Sequence, residues 1–206
     1  MIENQHYTLV SLSNMILAFE GQESLLQVEL DEFSCSLNKD VEKFLKEKAV
    51  IFDKQGWSRT HLLYTSYKKQ KVLVGYFTLA NKSFMVKNDA HISKGLKRRI
   101  AKFGQYNEDI KKYVVTAPLI GQLGKNDEYA DLIKGDTLLK YACDEVRKVQ
   151  EIVGGKFVYL ECEDKECLRE FYQSNGFVEF GCRELEADEK DDLSGSYLLQ
   201  MLKYLK

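Results

Sequence analysis

A long amphipathic helix between two apolar strands places the strongest constraint on the fold. In the segment GDTLLKYACDEVRKVQEIV, residues 135–153, apolar side chains recur at helical spacing, and Gly154-Gly155 ends the helix. The apolar stripe consists of Leu138, Leu139, Ala142, Val146, Val149 and Val153. One strand begins near Val114 before this helix, and another ends near Cys162 after it. A crossover of this length favours parallel pairing of the two strands.

Hairpins on both sides of this unit predict antiparallel neighbours. The strands HLLYTSY (residues 61–67) and KVLVGYFTLA (residues 71–80) are joined by the polar Lys68-Lys69-Gln70, which is typical of an antiparallel hairpin. Near the C-terminus, an acidic loop separates the strands FVEFG and SYLLQMLKY. The sequence therefore predicts an α/β protein. Its sheet is mixed and mostly antiparallel, with a parallel strand pair near the middle and flanking helices.

The chain has no segment typical of a linker between domains. Pro118 is the only proline among 206 residues, and no Ser/Gly/Pro-rich tract or internal repeat is present. A single domain over residues 1–206 is predicted. Residues 39–51 are predicted to form a helix with Asn38 or Asp40 as its N-cap. Residues 1–37 contain one short predicted strand near their beginning, and the sequence does not assign the remainder.

Composition argues against several classes of protein. A net charge of -2 gives no general attraction to nucleic acid or to anionic membranes. Five cysteines without paired spacing predict reduced thiols, and no histidine lies near Cys162 and Cys167 in sequence, so no metal site is predicted. The N-terminus lacks a signal sequence, and no apolar run approaches the roughly 18 residues that span a bilayer. We expect a cytoplasmic protein without membrane segments.

The first turn of the long helix is a candidate anion site. The unpaired N–H groups of a helix start, together with the helix dipole, favour an anion such as a pyrophosphate. Gly135 would let a ligand approach the backbone, Lys134 adds a positive charge and Thr137 offers a hydroxyl. The alternative is that Asp136 or Thr137 only caps the helix. Neither glycine-rich nucleotide-binding pattern is present in the sequence.

Three segments resemble the GCN5-related N-acetyltransferases. The most specific is FYQSNGF, in which Tyr172, Gly176 and Phe177 match the Tyr-x-x-x-Gly-Phe signature of that family. The strand LIGQLGKN and the loop-to-helix segment IKGDTLL are also similar. In IKGDTLL, only Gly135 agrees with the family's phosphate loop. The resemblance extends from about Val41 to the C-terminus.

The resemblance implies a fold, a cosubstrate and the residues that bind it. The two central parallel strands would splay apart, and acetyl-CoA would bind where they separate. The strand backbone at Leu123, Gly124 and Lys125 would pair with the pantetheine arm. The helix-start amides of Lys134, Gly135, Asp136 and Thr137 would hold the pyrophosphate.

The resemblance also implies that Tyr172 is the general acid that protonates the departing CoA thiolate. A thiol pKa of roughly 8.5 and a tyrosine pKa near 10 make that proton transfer inexpensive. The acceptor amine must be neutral to attack, and positioning should supply most of the acceleration. Judged without the family, a tyrosine four residues after Leu168 also suits a core position.

Two charged stretches bear on the acceptor. Residues 91–112 hold seven Lys/Arg and two acidic residues, whereas residues 184–192 hold six acidic residues and one lysine. Binding of RNA phosphates by the basic stretch would resemble the branch of toxins that acetylate aminoacyl-tRNA and are neutralised by a small antitoxin. The segment KDVEKFLKEKAVIFDKQGWSRTHLLY, followed by VGYFTLANKSF, looks like the front half of that branch. The residues that would then contact tRNA are Lys94, Lys97, Arg98, Arg99 and Lys102. The acidic stretch would instead suit a small polyamine, an aminoglycoside or a protein lysine.

Two other classes of function are compatible with the sequence. One is a degenerate member of the fold that binds CoA or a partner without catalysis. The other is an RNA-binding regulator that uses the basic stretch. The sequence leaves open a monomer or a homodimer.

Overall fold

The computed structural model describes residues 5–88, 90–187, 189 and 195–206. They belong to two compact units. Unit 1 comprises Met1–Ala80 and Gly121–Ala142, and unit 2 comprises Asn81–Ile120 and Cys143–Lys206. The prediction of one domain over residues 1–206 stays a prediction.

In the described part of the chain, eight strands form a mixed sheet. They are β1 (Tyr7–Ser11), β2 (Arg59–Tyr67), β3 (Gln70–Lys87), β4 (Gln105–Asn107), β5 (Lys112–Lys125), β6 (Phe157–Glu163), β7 (Val178–Glu184) and β8 (Tyr197–Tyr204). The strand order is β1-β2-β3-β5-β6-β8-β7, and β4 pairs with β5 outside this order. The pairs β1–β2, β2–β3, β4–β5, β6–β8 and β7–β8 are antiparallel, whereas β5 and β6 are parallel. The predicted α/β fold class is confirmed.

Helices flank the sheet. They are α1 (Leu12–Ala18), α2 (Glu23–Asp31), α3 (Lys39–Lys43), α4 (Ala49–Gln55), α5 (Lys94–Phe103), α6 (Gly135–Val153) and α7 (Glu166–Ser174). A π-helical segment, Phe44–Lys48, joins α3 to α4, and a 3₁₀ segment, Asp127–Leu132, precedes α6. Within the described part of the chain, no helix is both long and apolar enough to cross a membrane.

In unit 1, local sequence signals account for the hairpin and for the start of α3. Lys68 and Lys69 both have positive φ, as the two central residues of a tight hairpin turn often do. The Asn38 side chain accepts hydrogen bonds from the first-turn amides of α3, so the prediction of Asn38 as N-cap is confirmed. The prediction of one continuous helix over residues 39–51 is wrong. The π-helical segment Phe44–Lys48 interrupts it, and α4 continues beyond residue 51 to Gln55.

The core of unit 1 lies between its N-terminal helices and one face of β2 and β3. Residues 12–31, which the sequence left unassigned, contribute α1 and α2 to this core. Leu30 and Leu45 from the helical layer are fully buried against Leu62 and Tyr76 of the strands. Burying such side chains contributes about 1.5–3 kcal/mol each. The first 37 residues therefore belong in part to the folded core.

The core of unit 2 combines stacked aromatic rings with one helix. The rings of Phe84 on β3 and Tyr159 on β6 stack at 4.3 Å with an interplanar angle of 12°. Leu96 and Ile100 of α5 belong to the same buried cluster. The side chain of Ser93 caps α5 by accepting the amide of Leu96. The part of the basic stretch that forms α5 therefore packs through its apolar side.

Candidate functional site

The start of α6 in unit 1 exposes the predicted anion site. Lys134 is exposed, and Gly135 and Thr137 are half-buried. The carbonyl of Lys134 accepts hydrogen bonds from the amides of Thr137 (3.1 Å) and Leu138 (3.2 Å). The amide of Thr137 is therefore engaged within the helix start. The amide of Gly135 is that of the first residue of α6, so it belongs to the positive end of this 19-residue helix.

Two long side chains fix the loop before α6. The ammonium of Lys125 donates to the carbonyls of Ala130 (3.1 Å) and Ile133 (3.3 Å). The hydroxyl of Tyr7 donates to the carbonyl of Leu132 at 2.6 Å. Because these donors satisfy loop carbonyls, the backbone before Gly135 is held in one conformation. The side chain of Lys125 thus positions the loop, whereas the sequence interpretation concerned only its backbone.

Close packing explains the glycine at the end of β5. A Cβ at Gly124 would lie 2.4 Å from Cγ1 of Val41 on α3, closer than real Cβ contacts come. The carbonyl oxygen of Gly124 in turn lies 2.9 Å from the position of a Cβ at Gly75. Glycine is therefore required here by packing, whatever the strand binds. Leu123, the neighbouring residue, is half-buried.

The parallel ladder between β5 and β6 is short. Among the described residues it contains two pairs, Leu119 with Tyr159 and Ile120 with Leu160. β5 nevertheless continues to Lys125. A strand edge that leaves its ladder presents backbone N–H and C=O groups that can bind an extended ligand.

In unit 2, the Tyr-x-x-x-Gly-Phe signature forms a Schellman motif at the end of α7. The amide of Phe177 donates to the carbonyl of Tyr172 (3.0 Å), and the amide of Gly176 donates to Gln173 (2.9 Å). Gly176 has φ +80°, the left-handed conformation that this motif requires. The rings of Tyr172 and Phe177 are 5.8 Å apart and supply the apolar contact that accompanies the motif. The spacing of the signature thus matches the hydrogen bonds that end a helix.

The hydroxyl of Tyr172 distinguishes this residue from a core tyrosine. The side chain is 8% exposed. Among the described residues, the fully buried side-chain oxygens without a hydrogen-bond partner are Ser58 Oγ and Thr60 Oγ1. The Tyr172 hydroxyl is not among these oxygens, and within the described residues it has no hydrogen-bond partner. Burial raises the pKa of Tyr172, and the neighbouring Cys162 raises it further, so the phenol stays protonated at neutral pH.

A groove of about 850 Å³ lies in unit 2, and we call it the unit 2 groove. It is lined by residues 82–85, 87, 90, 91, 112, 159, 161, 179–183 and 200. Phe84, Tyr159 and Phe180 form its aromatic floor, with ring centroids 4.3–6.0 Å apart. The register of β7 against β8 shifts between Glu179 and Gly181, as at a β-bulge, and Phe180 lies at this shift.

A buried carboxylate organises the charges of the groove. The side chain of Glu161 is 8% exposed and accepts hydrogen bonds from Tyr159, Lys82 (3.2 Å) and Arg183 (2.7 Å). Burial alone would raise the pKa of Glu161. The hydrogen bond from Tyr159 and the two positive charges outweigh burial, and the pKa is lowered. Arg183 also binds Glu189 through two hydrogen bonds of 2.6 Å each.

The basic residues proposed to contact tRNA lie on α5 in unit 2. Lys94, Arg98, Arg99 and Lys102 are exposed, and Lys97 is half-buried. The guanidinium of Arg99 stacks over the ring of Tyr204 at 4.2 Å. The five side chains therefore form a solvated basic surface. Of the acidic stretch 184–192, residues 188 and 190–192 lie outside the described residues.

Sequence reasoning missed several residues that shape these sites. Asn126 is 1% exposed, and its side chain bonds the backbones of Leu73 and Ser34, at separations of 53 and 92 residues. Arg183 and Tyr7 were missed for the same reason, because their partners are distant in sequence. No local pattern signals such pairs.

Comparison with solved structures finds the same fold in bacterial toxins. A KacT variant in which one tyrosine is replaced by phenylalanine is 17% identical, over 95% of this chain and 94% of that chain, with a TM-score of 0.63. AtaT complexed with acetyl-methionyl-tRNAfMet is 18% identical over 94% of each chain, with a TM-score of 0.61. AtaTR bound with AcCoA is 20% identical over 94% of this chain and 92% of that chain, with a TM-score of 0.58.

These similarities are structural. No protein-family model matches the sequence, and no curated protein matches it either. At identities of 17–20%, the solved structures show the fold. The fold that the resemblance implied, that of the GCN5-related N-acetyltransferases, is confirmed.

Proposed function

We propose that this protein is an acetyl-CoA-dependent N-acetyltransferase that transfers the acetyl group to the α-amine of an aminoacyl-tRNA. The observation that carries the proposal is the Tyr172 hydroxyl, which has no hydrogen-bond partner among the described residues and lies at the end of a buried aromatic side chain. A core tyrosine of this burial ordinarily bonds its hydroxyl to the protein. The free phenol is suited to donate to a reacting group.

In unit 1, the proposed cosubstrate site uses backbone groups. The pantetheine arm would pair with the backbone at Leu123, Gly124 and Lys125, where β5 extends beyond its ladder with β6. The pyrophosphate would accept hydrogen bonds from the helix-start amides of Lys134, Gly135 and Asp136, whereas Thr137, whose amide is engaged with the carbonyl of Lys134, would offer its hydroxyl. Lys125 supports this binding because its ammonium fixes the loop carbonyls that precede α6. AtaT solved with acetyl-CoA is consistent with such binding in this fold.

The proposed mechanism is direct attack of the neutral amine on the thioester in a ternary complex. The amine nitrogen forms a bond to the acetyl carbon, the C–S bond breaks, and the thiolate takes a proton from Tyr172. The proton that the nitrogen loses on becoming an amide passes to solvent, from which the Tyr172 phenolate is reprotonated. Because the pKa of Tyr172 is raised, the phenol stays protonated near neutral pH, but its transfer to a thiolate with a pKa of roughly 8.5 costs more than it would from an unperturbed tyrosine. A general acid of this kind contributes roughly 10²–10⁴ in rate.

The charges of unit 2 favour aminoacyl-tRNA over a polyamine as acceptor. α5 exposes four Lys/Arg side chains, and the carboxylate of Glu189 in the acidic stretch is bound by Arg183. This pairing reduces the attraction of that stretch for a cation. The basic surface, by contrast, is available for phosphates. AtaT is known in complex with acetyl-methionyl-tRNAfMet and with the C-terminus of the antitoxin AtaR, and we propose an antitoxin partner for this chain as well.

The test is acetyl transfer from labelled acetyl-CoA to aminoacylated tRNA. We expect label in the RNA fraction, and none with deacylated tRNA, which lacks the amine. Tyr172→Phe should lower the rate constant by about a hundredfold at saturating substrates. Tyr67→Phe, a change of the same chemistry on an exposed ring of unit 1, serves as the matched control. Expression should arrest growth with the wild type and not with Tyr172→Phe.

Other acceptors give other outcomes. Label on polyamines or protein lysines, with none on aminoacyl-tRNA, would support the acetyltransferase activity and reject aminoacyl-tRNA as the acceptor. Binding of acetyl-CoA by calorimetry without transfer to any amine would identify a non-catalytic protein of this fold. Absence of binding at millimolar acetyl-CoA would reject both.

A further inference from the structure

The unit 2 groove contains more basic than acidic side chains. Its lining includes Lys82, Lys87, Lys112 and Arg183, together with His91, against the carboxylates of Glu161 and Glu179. Lys82 is paired with Glu161. Helix α5, with its exposed basic residues, packs on the same aromatic cluster that forms the floor of the groove. The lining of the groove therefore has a positive balance, with four Lys/Arg side chains against two carboxylates.

Arg183 presents a planar fork that is already bound to carboxylates. Its Nε and Nη2 contact Oε2 of Glu161 at 2.7 Å. Its Nη1 and Nη2 bind the two carboxylate oxygens of Glu189 at 2.6 Å each, in the two-point geometry that arginine also uses for phosphate. Glu161 is buried within the sheet, whereas Glu189 follows β7 and accepts the amide of Glu186 (2.8 Å).

We propose that Arg183 is a phosphate-binding residue for a single-stranded nucleic acid in the unit 2 groove, and that Glu189 is its intramolecular competitor. The carboxylate of Glu189 occupies the face of the guanidinium that a phosphodiester would take. Binding of the strand exchanges one two-point contact for another, and Glu161 keeps Arg183 in place throughout. This proposal rests on the proposed function, because it names residues that would hold the single-stranded end of an RNA acceptor.

The dimensions of the groove favour a single strand. A volume of about 850 Å³ lies within the roughly 300–1,000 Å³ of ordinary ligand pockets, which admits a few nucleotides and no duplex. Lys87, His91 and Lys112 lie on the same lining and could contact neighbouring phosphates. An acidic peptide is the other polyanion that such charges could hold. It is less favoured because successive phosphates carry more closely spaced charge.

The test measures binding alone, in the absence of acetyl-CoA. Fluorescence anisotropy of a labelled single-stranded RNA dodecamer gives the dissociation constant for each variant at several salt concentrations. Glu189→Gln should tighten binding by about three- to tenfold, because the competing ion pair is removed. Arg183→Gln should weaken it by about tenfold and reduce the slope of log K against log salt by about 0.7, the value for one single-strand phosphate contact.

Matched variants separate this exchange from general electrostatics. Glu145→Gln removes an ion-paired carboxylate of α6, and Arg147→Gln removes an arginine of α6 that pairs with Asp144, away from the groove lining. Each should leave the dissociation constant nearly unchanged. In the Arg183→Gln background, Glu189→Gln should have no further effect, since the competition requires the guanidinium. Thermal unfolding of each variant confirms that it is folded.

Several outcomes would overturn the proposal. They are equal effects of Glu189→Gln and Glu145→Gln, an effect of Glu189→Gln that persists without Arg183, and tighter binding of an oligoglutamate probe than of RNA. Because no step requires catalysis, these results are distinguishable from failure of the proposed function. If the protein is an active acetyltransferase and Glu189→Gln leaves the RNA dissociation constant unchanged, only the proposed competition between Glu189 and phosphate is rejected.

Discussion

Replacing Gly124 with alanine should test the packing of β5 against α3. The added methyl would lie 2.4 Å from Cγ1 of Val41, whereas ordinary contacts begin at 3.4 Å, so the two groups must separate by about 1 Å. Neither α3 nor the end of β5 can move easily. α3 is held by the Asn38 cap and by the hydroxyl of Tyr76, which donates to the carbonyl of Val41. On the other side, the carbonyl of Gly124 is already close to Gly75.

The expected destabilisation by Gly124→Ala is about 3 kcal/mol, the upper part of the range for overpacked cores. Val41→Ala should cost about 2 kcal/mol through lost burial. It also removes the clashing methyl, so the double variant should cost about 2 kcal/mol in place of the additive 5 kcal/mol. Urea unfolding followed by circular dichroism measures all three. Gly95→Ala, whose Cβ meets only Ser93 Oγ at 3.9 Å, is the matched control and should be neutral or slightly stabilising.

The single and double variants of Gly124 and Val41 also test the proposed cosubstrate site. The methyl added at Gly124 points toward Val41, so the backbone groups proposed to bind pantetheine stay available. The double variant should bind acetyl-CoA in calorimetry with an affinity close to that of the wild type. Additive costs within about 0.5 kcal/mol would refute the packing argument, because independent sites behave that way.

Three further predictions concern unit 1. Lys125→Met should weaken acetyl-CoA binding by about tenfold in calorimetry, because the loop before α6 loses a charged donor worth about 1.5 kcal/mol. Asn126→Ala should cost about 2–3 kcal/mol in urea unfolding by leaving buried backbone groups unpaired. The pKa of Glu42 is lowered to about 2, first by the amide of Cys35 and then by two lysines. Its stabilisation is therefore present above about pH 4.5 and lost as the pH falls toward 2, and Glu42→Gln should lose this pH dependence in acid titrations.

Local chemistry made much of the fold predictable. The helix α6, the hairpin turn between β2 and β3 and the Asn38 cap each depend on neighbours within a few residues, and the structure confirms them. The π-helical segment Phe44–Lys48 was not predictable, because its residues keep an apolar spacing close to that of an α-helix. Periodicity identifies a helix more readily than it identifies an interruption within one.

The charged network of the unit 2 groove was beyond sequence reasoning for a different reason. Glu161 pairs with Lys82 across 79 residues and with Arg183 across 22 residues. The sequence instead suggested that residues 184–192 act as a free acidic surface. The contact between Glu189 and Arg183 shows that part of this charge is held by the protein itself. Charge counts along a sequence cannot show such neutralisation, because it depends on which strands become neighbours.

The motif at Tyr172 can be explained by helix ending or by catalysis, and these two explanations must be separated. The Schellman geometry at Tyr172, Gly176 and Phe177 satisfies the end of a helix, and any apolar residue at position 172 could make the contact with Phe177. The spacing by itself is therefore no evidence for catalysis. What helix ending does not require is a hydroxyl group without a hydrogen-bond partner among the described residues on a side chain that is 8% exposed. A phenol in this position is kept at a cost in desolvation without a compensating protein bond, and a reaction that uses its proton gives that cost a function.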